Sequence, residues 1–214
     1  MPTESPAAPA ASPRGRRSSR ASGDERERAI LATAERLLEE RPLAQISVSD
    51  LAAGAGISRS TFYFYFPSRD AVLLTLVERM ADEANATREE ALAVLQAEPR
   101  AGLRQGLEDA FPAFASRRAV VLAAAELRAS NADARELWSR VMEGWVDHVA
   151  GVIDTERARG AAPPGPPARD LATALVQMNE RVQHAAIAGE QPALSGAPMM
   201  DAIVEIWVRA IYGG

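Results

Sequence analysis

Leu51-Ala52-Ala53-Gly54-Ala55-Gly56-Ile57-Ser58-Arg59-Ser60-Thr61, followed at once by Phe62-Tyr63-Phe64-Tyr65-Phe66, is the stretch on which the reading of this chain turns. The first part has the pattern of a helix, a tight glycine turn and a second helix. Gly56 offers a left-handed residue without a Cβ clash, and Ser58 can cap the short helix that follows. Around that turn, the positions that must hold two helices at a steep angle are small or apolar: Leu51, Ala52, Ala55, Ile57 and Phe62. The second part places five of the chain's eleven aromatic residues side by side. Five adjacent rings cannot all face inward on one helix. Phe62 and Phe66 are expected in a small core, with Tyr65 extending that contact, while Tyr63 and Phe64 are expected to be exposed and so to have a partner.

Outward from this motif the helical pattern continues in both directions. Ser47 can cap the helix that contains Leu51, with Asp50 in its positively polarised first turn. An earlier helix is expected to start at Ser22-Gly23-Asp24-Glu25, where Ser22 and Glu25 can form a capping box. Its core face would be Ile30, Ala34, Leu37 and Leu38, and Arg41-Pro42 would end it. Residues 1–21 are rich in Ala, Pro, Ser and Arg without an apolar period, so a disordered basic arm is expected, with Arg14, Arg16, Arg17 and Arg20 clustered. After Pro67, Ser68 can cap a long helix carrying Val72, Leu73, Leu76, Val77 and Met80 and running to about Leu95. Further helices are expected over about 101–115, 117–129, 133–159, 169–188 and 198–212. Residues 161–167, Ala-Ala-Pro-Pro-Gly-Pro-Pro, form the strongest break. No segment alternates as a strand would. The expected class is all-α: a three-helix helix-turn-helix domain over 22–67 and a helical bundle domain over 68–214, about nine helices in total.

Composition narrows the chemistry. The 214 residues include no cysteine, which removes disulfides, thiolate nucleophiles and cysteine-ligated zinc. His148 and His184 are the only histidines; no metal site, catalytic residue or cofactor is expected from them. A net charge of -5 argues against a phosphate-binding surface until its distribution is considered. Residues 1–70 hold 10 Arg and 9 acidic residues, so the negative excess lies further along the chain. With no secretory pattern and no run of about 20 apolar residues, a cytoplasmic protein is expected.

In a helix-turn-helix the second helix enters the major groove while hydroxyls and helix N-termini hold phosphates. The groove-facing set would be Arg59, Ser60, Thr61, Tyr63 and Phe64. Arg59 can bond guanine with both arms of its fork, and Phe64 can touch a thymine methyl. Ser47, Tyr65 and Arg69 suit phosphates; Ser58 at the helix start and Arg14, Arg16 and Arg17 in the arm complete the DNA-contact set.

The run from Ile46-Ser47-Val48 through Asp50-Leu51-Ala52, Ala55-Gly56-Ile57-Ser58 and Thr61 to Leu73 resembles the TetR family of transcriptional regulators. Similarity to one branch of that family continues at Pro13 to Arg17, Ala29 to Glu35, Ala150 to Asp154, Met178 to Arg181, Ala188 to Pro192 and Ile206 to Val208. The resemblance implies a homodimer on double-stranded operator DNA, and a C-terminal domain holding both a cavity for a small lipophilic effector and the dimer interface. It also implies a repressor released by that effector, acting on a monooxygenase gene.

The residues themselves suggest a cavity less specifically. Trp138, Met142 and Trp145 share one helical face, Phe111 and Phe114 another, and such stripes are more often plain core. Asn179 lies with Val176 and Gln183 on one face of an otherwise apolar helix, where an amide needs a partner and a ligand can be one. The resemblance assigns Phe114, Trp138, Met142, Trp145, Asn179, Glu180 and Trp207 to the cavity wall. At positions where that branch has large aromatics this chain has Leu103, Ala110, His148 and His184, and Val176 replaces a pocket asparagine. Stripes at Leu171, Leu175, Met178 and Val182, and at Ile203, Ile206, Trp207, Ala210 and Ile211, would pair the last two helices across a dimer axis. Two other readings compete: an architectural DNA-binding protein without a regulatory ligand, which predicts a filled C-terminal core, and a small-molecule enzyme or carrier.

Overall fold

A computed structural model describes residues 15–213, with side chains from residue 23 onward. Among the described residues there are ten α-helices and no strand. Helix α1 (Gly15–Glu40) begins before the start expected at Ser22, so Ser22 lies within the helix rather than at its cap. Helical backbone therefore takes up part of the expected arm, and residues 1–14 lie outside the described residues. A 3-10 turn at Leu43–Gln45 leads to α2 (Val48–Gly54) and α3 (Arg59–Phe62). The long helix expected from Ser68 to about Leu95 is two helices, α4 (Arg69–Asn85) and α5 (Arg88–Ala97), separated at Ala86 and Thr87. Then follow α6 (Pro99–Ala115), α7 (Arg118–Ser130), α8 (Ala132–Ala158), α9 (Ala168–Ala188) and α10 (Gly196–Tyr212). None of these is long and apolar enough to cross a membrane.

Two apolar cores organise these helices. The first contains Ile30, Ala34, Leu37 and Leu38 of α1, Leu51 and Ala52 of α2, and Phe62 and Phe66. It does not stop at residue 67. Val72, Leu73, Leu76, Val77 and Met80 of α4 complete it, with Val120, Ala123 and Leu127 of α7 and Ala134 and Leu137 of α8. The second core joins Leu95, Leu103 and Leu107 to Met142, Val146 and Ile153 of α8, Leu175 and Val176 of α9, and Met199, Ile203, Trp207 and Ile211 of α10. At its far end Glu156 is fully buried, bonded by Arg159 and, at 3.0 Å, by the Tyr212 hydroxyl. This ties the end of α8 to the end of α10. Its own burial, and then the adjacent Glu156 carboxylate, push the Tyr212 phenol well above its ordinary range.

The α5 and α6 helices form a hairpin that depends on a missing side chain. A Cβ on Gly102 would lie 2.3 Å from both the N and the Cα of Leu95, so only glycine permits this approach. Because the obstacle is backbone, no rotamer change can relieve it. Gly102→Ala is therefore expected to destabilise the protein by about 1–3 kcal/mol, read as a lower urea midpoint. Unchanged stability would mean that α5 moves freely against α6.

Candidate nucleic-acid interface and internal cavity

Local hydrogen bonding builds the turn between α2 and α3. The Ser47 hydroxyl accepts the Asp50 amide at 3.1 Å, and the Asp50 carboxylate accepts the Ser47 amide at 2.8 Å, a complete capping box. Those bonds, first from the Ser47 backbone and then from its side chain, with Arg41 nearby, hold the Asp50 carboxyl below its ordinary range. Gly56 has φ +68°, the left-handed turn the sequence called for. Ser58 accepts the Thr61 amide at 3.0 Å, and its hydroxyl also lies 2.8 Å from those of Ser60 and Thr61. Three hydroxyls thus gather at the start of α3.

The aromatic run divides as its crowding requires. Phe62 and Phe66 are buried with ring centroids 6.0 Å apart, while Tyr63 is 48% and Phe64 86% exposed. Arg59 stands beside Tyr63, its Nη2 3.4 Å from the phenol oxygen, and shares the exposed side of α3 with Ser60. Tyr65 is half-buried against the first core. Arg69, expected at a phosphate, is also engaged within the protein. Its Nη1 donates to the carbonyls of Leu43 at 2.9 Å, Ile46 at 3.1 Å and Ala44 at 3.4 Å, and its Nε donates to Asp70. The guanidinium clamps the 3-10 turn to the start of α4, sharing the Leu43 carbonyl with the Ile46 amide, which donates to it at 3.0 Å. Arg14 lies outside the described residues, as do the side chains of Arg16 and Arg17.

Helices α4 to α10 enclose a cavity of about 210 Å³. Its wall includes Leu103, Phe114, Trp138, Trp145, His148, Val176, Asn179, Glu180, Gln183, His184 and Trp207, eleven of the thirteen positions expected there. Phe111 and Met142 are not among them. Met142 leans to the side of α8 that carries Val146 and Ile153 and is buried with them in the second core. Phe111 sits a quarter-turn off the row Leu103, Leu107, Ala110 and Phe114 and packs against the same core. In both cases a shared stripe is wider than the cavity it borders.

At one wall Phe114, Trp138 and Trp145 meet edge to face in a triangle, with centroids 5.7 to 6.5 Å apart. Trp145 Nε1 donates to Asn85 Oδ1 at 3.0 Å. Arg128 stacks over Trp138 at 4.5 Å and faces Glu180 at 3.7 Å. His184 faces Glu190 at 3.7 Å. Asn179 Oδ1 and Trp207 Nε1 are buried with no protein partner. His148 is held below its ordinary pKa, chiefly by burial and secondarily by the charge of Arg88. Asn85, Thr87, Arg88 and Arg128 belong to this wall and were missed in the sequence. A signal for the first three existed: Thr87 followed by Glu89 and Glu90 marks a helix start, and with it the break that turns Arg88 toward the cavity.

The chain matches the family described as bacterial regulatory proteins, tetR family, over residues 30–76, and that described as transcriptional regulator EthR, C-terminal domain, over residues 103–213. It belongs to the TetR family of DNA-binding transcriptional regulators, and to the branch defined by the EthR C-terminal domain. It is 53% identical to the HTH-type transcriptional regulator EthR of Mycobacterium tuberculosis over 216 residues, covering 99% of this chain and 98% of that one. With the EthR of Mycolicibacterium smegmatis it shares 49% identity over 201 residues, 94% and 93% of the two chains. The fold also matches a TetR-family regulator structure from a Rhodococcus species with TM-score 0.69 and 19% identity, over 88% of this chain and 99% of that one. These relatives are regulators and not enzymes.

The two faces of the aromatic run are separable by substitution. Phe62→Ala should cost about 3–5 kcal/mol of stability, since it empties the centre of the first core. Phe64→Ala should change stability by less than about 0.5 kcal/mol while weakening duplex binding in an anisotropy titration. Equal duplex affinity for Phe64→Ala and the unaltered protein would remove Phe64 from the interface.

Proposed function

We propose that this chain is a homodimeric, cytoplasmic repressor that leaves its operator when a lipophilic small molecule enters the cavity, and that it controls a monooxygenase gene. Residues 22–67 act as the DNA-reading domain and 68–214 as the effector and dimerisation domain. In this reading Arg59, Ser60, Thr61, Tyr63 and Phe64 face the major groove, Ser47 and Ser58 approach phosphates, and Arg14, Arg16 and Arg17 add contacts from the arm. The target gene rests on similarity to the EthR branch.

One observation carries the switching mechanism. Val77 and Met80 of α4 are buried in the first core and also line the cavity. A ligand that reshapes the cavity must therefore act on a helix whose other end, from Val72 to Leu76, holds the DNA-reading helices. Release requires only that the ligand prefer the arrangement in which two recognition helices no longer match successive grooves, about 34–36 Å apart. An architectural protein would fill its C-terminal core, and a cavity of about 210 Å³ argues against that reading.

The dimer is proposed through α9 and α10. Leu175, Ile203, Trp207 and Ile211 of the expected stripes are buried in the protomer, while Ile206 is 45% exposed, Ala210 is exposed, and Leu171, Met178 and Val182 are half-buried. The outer residues thus remain for a partner. Ile206→Glu is expected to shift the protein from dimer to monomer in light scattering, and operator affinity should fall with it. Footprinting on DNA flanking the protein's own gene should reveal a two-fold-symmetric protected site. An unsymmetric or dispersed footprint would count against a dimeric repressor.

A further inference from the structure

Arg88 is the charge in the cavity wall that the protein leaves without a counterion. It stands in the first turn of α5, its Nη2 is buried with no partner, and no carboxylate lies within 4.0 Å of its guanidinium among the described residues. Its acidic neighbours Glu89 and Glu90 are exposed. The other arginine and the glutamate of the wall face each other, Arg128 and Glu180, and His184 lies near Glu190. His148 is the titratable neighbour of Arg88, and burial followed by that adjacent charge disfavours its cationic form. The α5 N-terminus adds to the same field, since Thr87, itself in the wall, gives it no side-chain cap. A guanidinium with a buried Nη2, in a wall that also holds Leu92, Leu95, Val149 and Val152, is costly to keep there unless an anion meets it.

We propose that the cavity takes an amphiphile with an apolar chain and a single carboxylate, the carboxylate paired with Arg88 at the start of α5 and the chain lying along the aliphatic wall. A monoanion suits one uncompensated cation; a phosphate dianion would overbalance it. The planar guanidinium matches a carboxylate with two parallel hydrogen bonds. This rests on the cavity being the ligand site of the proposed repressor.

Binding is measured on the intact protein with decanoate and with methyl decanoate, followed by the fluorescence of the wall tryptophans Trp138, Trp145 and Trp207. Decanoate should bind at least about tenfold tighter than its ester, the difference a charge-assisted pair supplies. Arg88→Met should erase that preference by weakening decanoate alone, with ester binding retained as evidence that the cavity is intact. Equal or tighter binding of the ester to the unaltered protein, a preference that survives in Arg88→Met, or no binding of decanoate would each overturn the assignment. The ratio in the unaltered protein decides the matter even if the variant misfolds. Operator anisotropy is read separately. Decanoate binding that leaves operator affinity unchanged would keep this ligand class and sink the release mechanism, whereas operator release by the ester without decanoate binding would do the opposite.

Discussion

Helix α4 is buried on two sides by two different sets of neighbours, and the rest of the molecule is arranged around that fact. Its first half, Val72, Leu73 and Leu76, closes the core under the helix-turn-helix; Val77 and Met80 belong to that core and to the cavity; Ala84 and Asn85 belong to the cavity wall. Close-packed interiors do not absorb displacement smoothly. A change of contents at one end of such a helix is felt as a choice between discrete packings at the other. The polar contacts follow the same line. Arg117 donates to Glu35 of α1 at 3.1 Å and to both oxygens of Glu83 of α4, and Arg79 of α4 reaches Glu27 of α1 at 2.7 Å. The two helices are strapped as well as packed.

The N-terminal module was legible because its determinants are local. A helix cap at Ser47, a left-handed glycine and a crowded aromatic run act over a few residues, and each is found where the sequence put it; the capping box expected at Ser22 and Glu25 is not, because α1 runs through it. What escaped was set by long-range contact. The break at Ala86 and Thr87 has no proline or glycine, only the weaker local signal of Thr87 ahead of Glu89 and Glu90, and it brings Asn85 to Trp145 and Arg88 beside His148, partners about sixty residues away in sequence. The internal acceptors of Arg69, two carbonyls of a short 3-10 turn and that of Ile46 after it, leave no trace in side-chain identity. Phe111 and Met142 show the resolution of periodicity itself: it assigns a residue to the buried side of a helix but not to one of two buried neighbours on that side.

The cavity differs from an apolar pocket in the way its polarity is distributed. Some of its polar groups are matched within the wall, through Trp145 with Asn85 and Arg128 with Trp138 and Glu180. Three others are buried with no partner, Asn179 Oδ1, Trp207 Nε1 and Arg88 Nη2: an acceptor, a neutral donor and a charged donor. Groups of these three kinds discriminate among ligands far more sharply than the aliphatic surface between them, because a buried polar group that fails to find its complement carries its full desolvation cost.

Phe64 stands 86% exposed on a protein whose net charge is -5. On the proposed interface such a ring holds DNA by burial, and burial does not weaken as ions accumulate. Phosphate contacts do, because they draw on the release of condensed counterions. Rising ionic strength would then strip away sequence-blind association faster than the base-edge contact made by the ring. A regulator built this way discriminates better in concentrated electrolyte than in dilute buffer, and its selectivity survives swings in ionic strength that would blur a wholly basic binding surface.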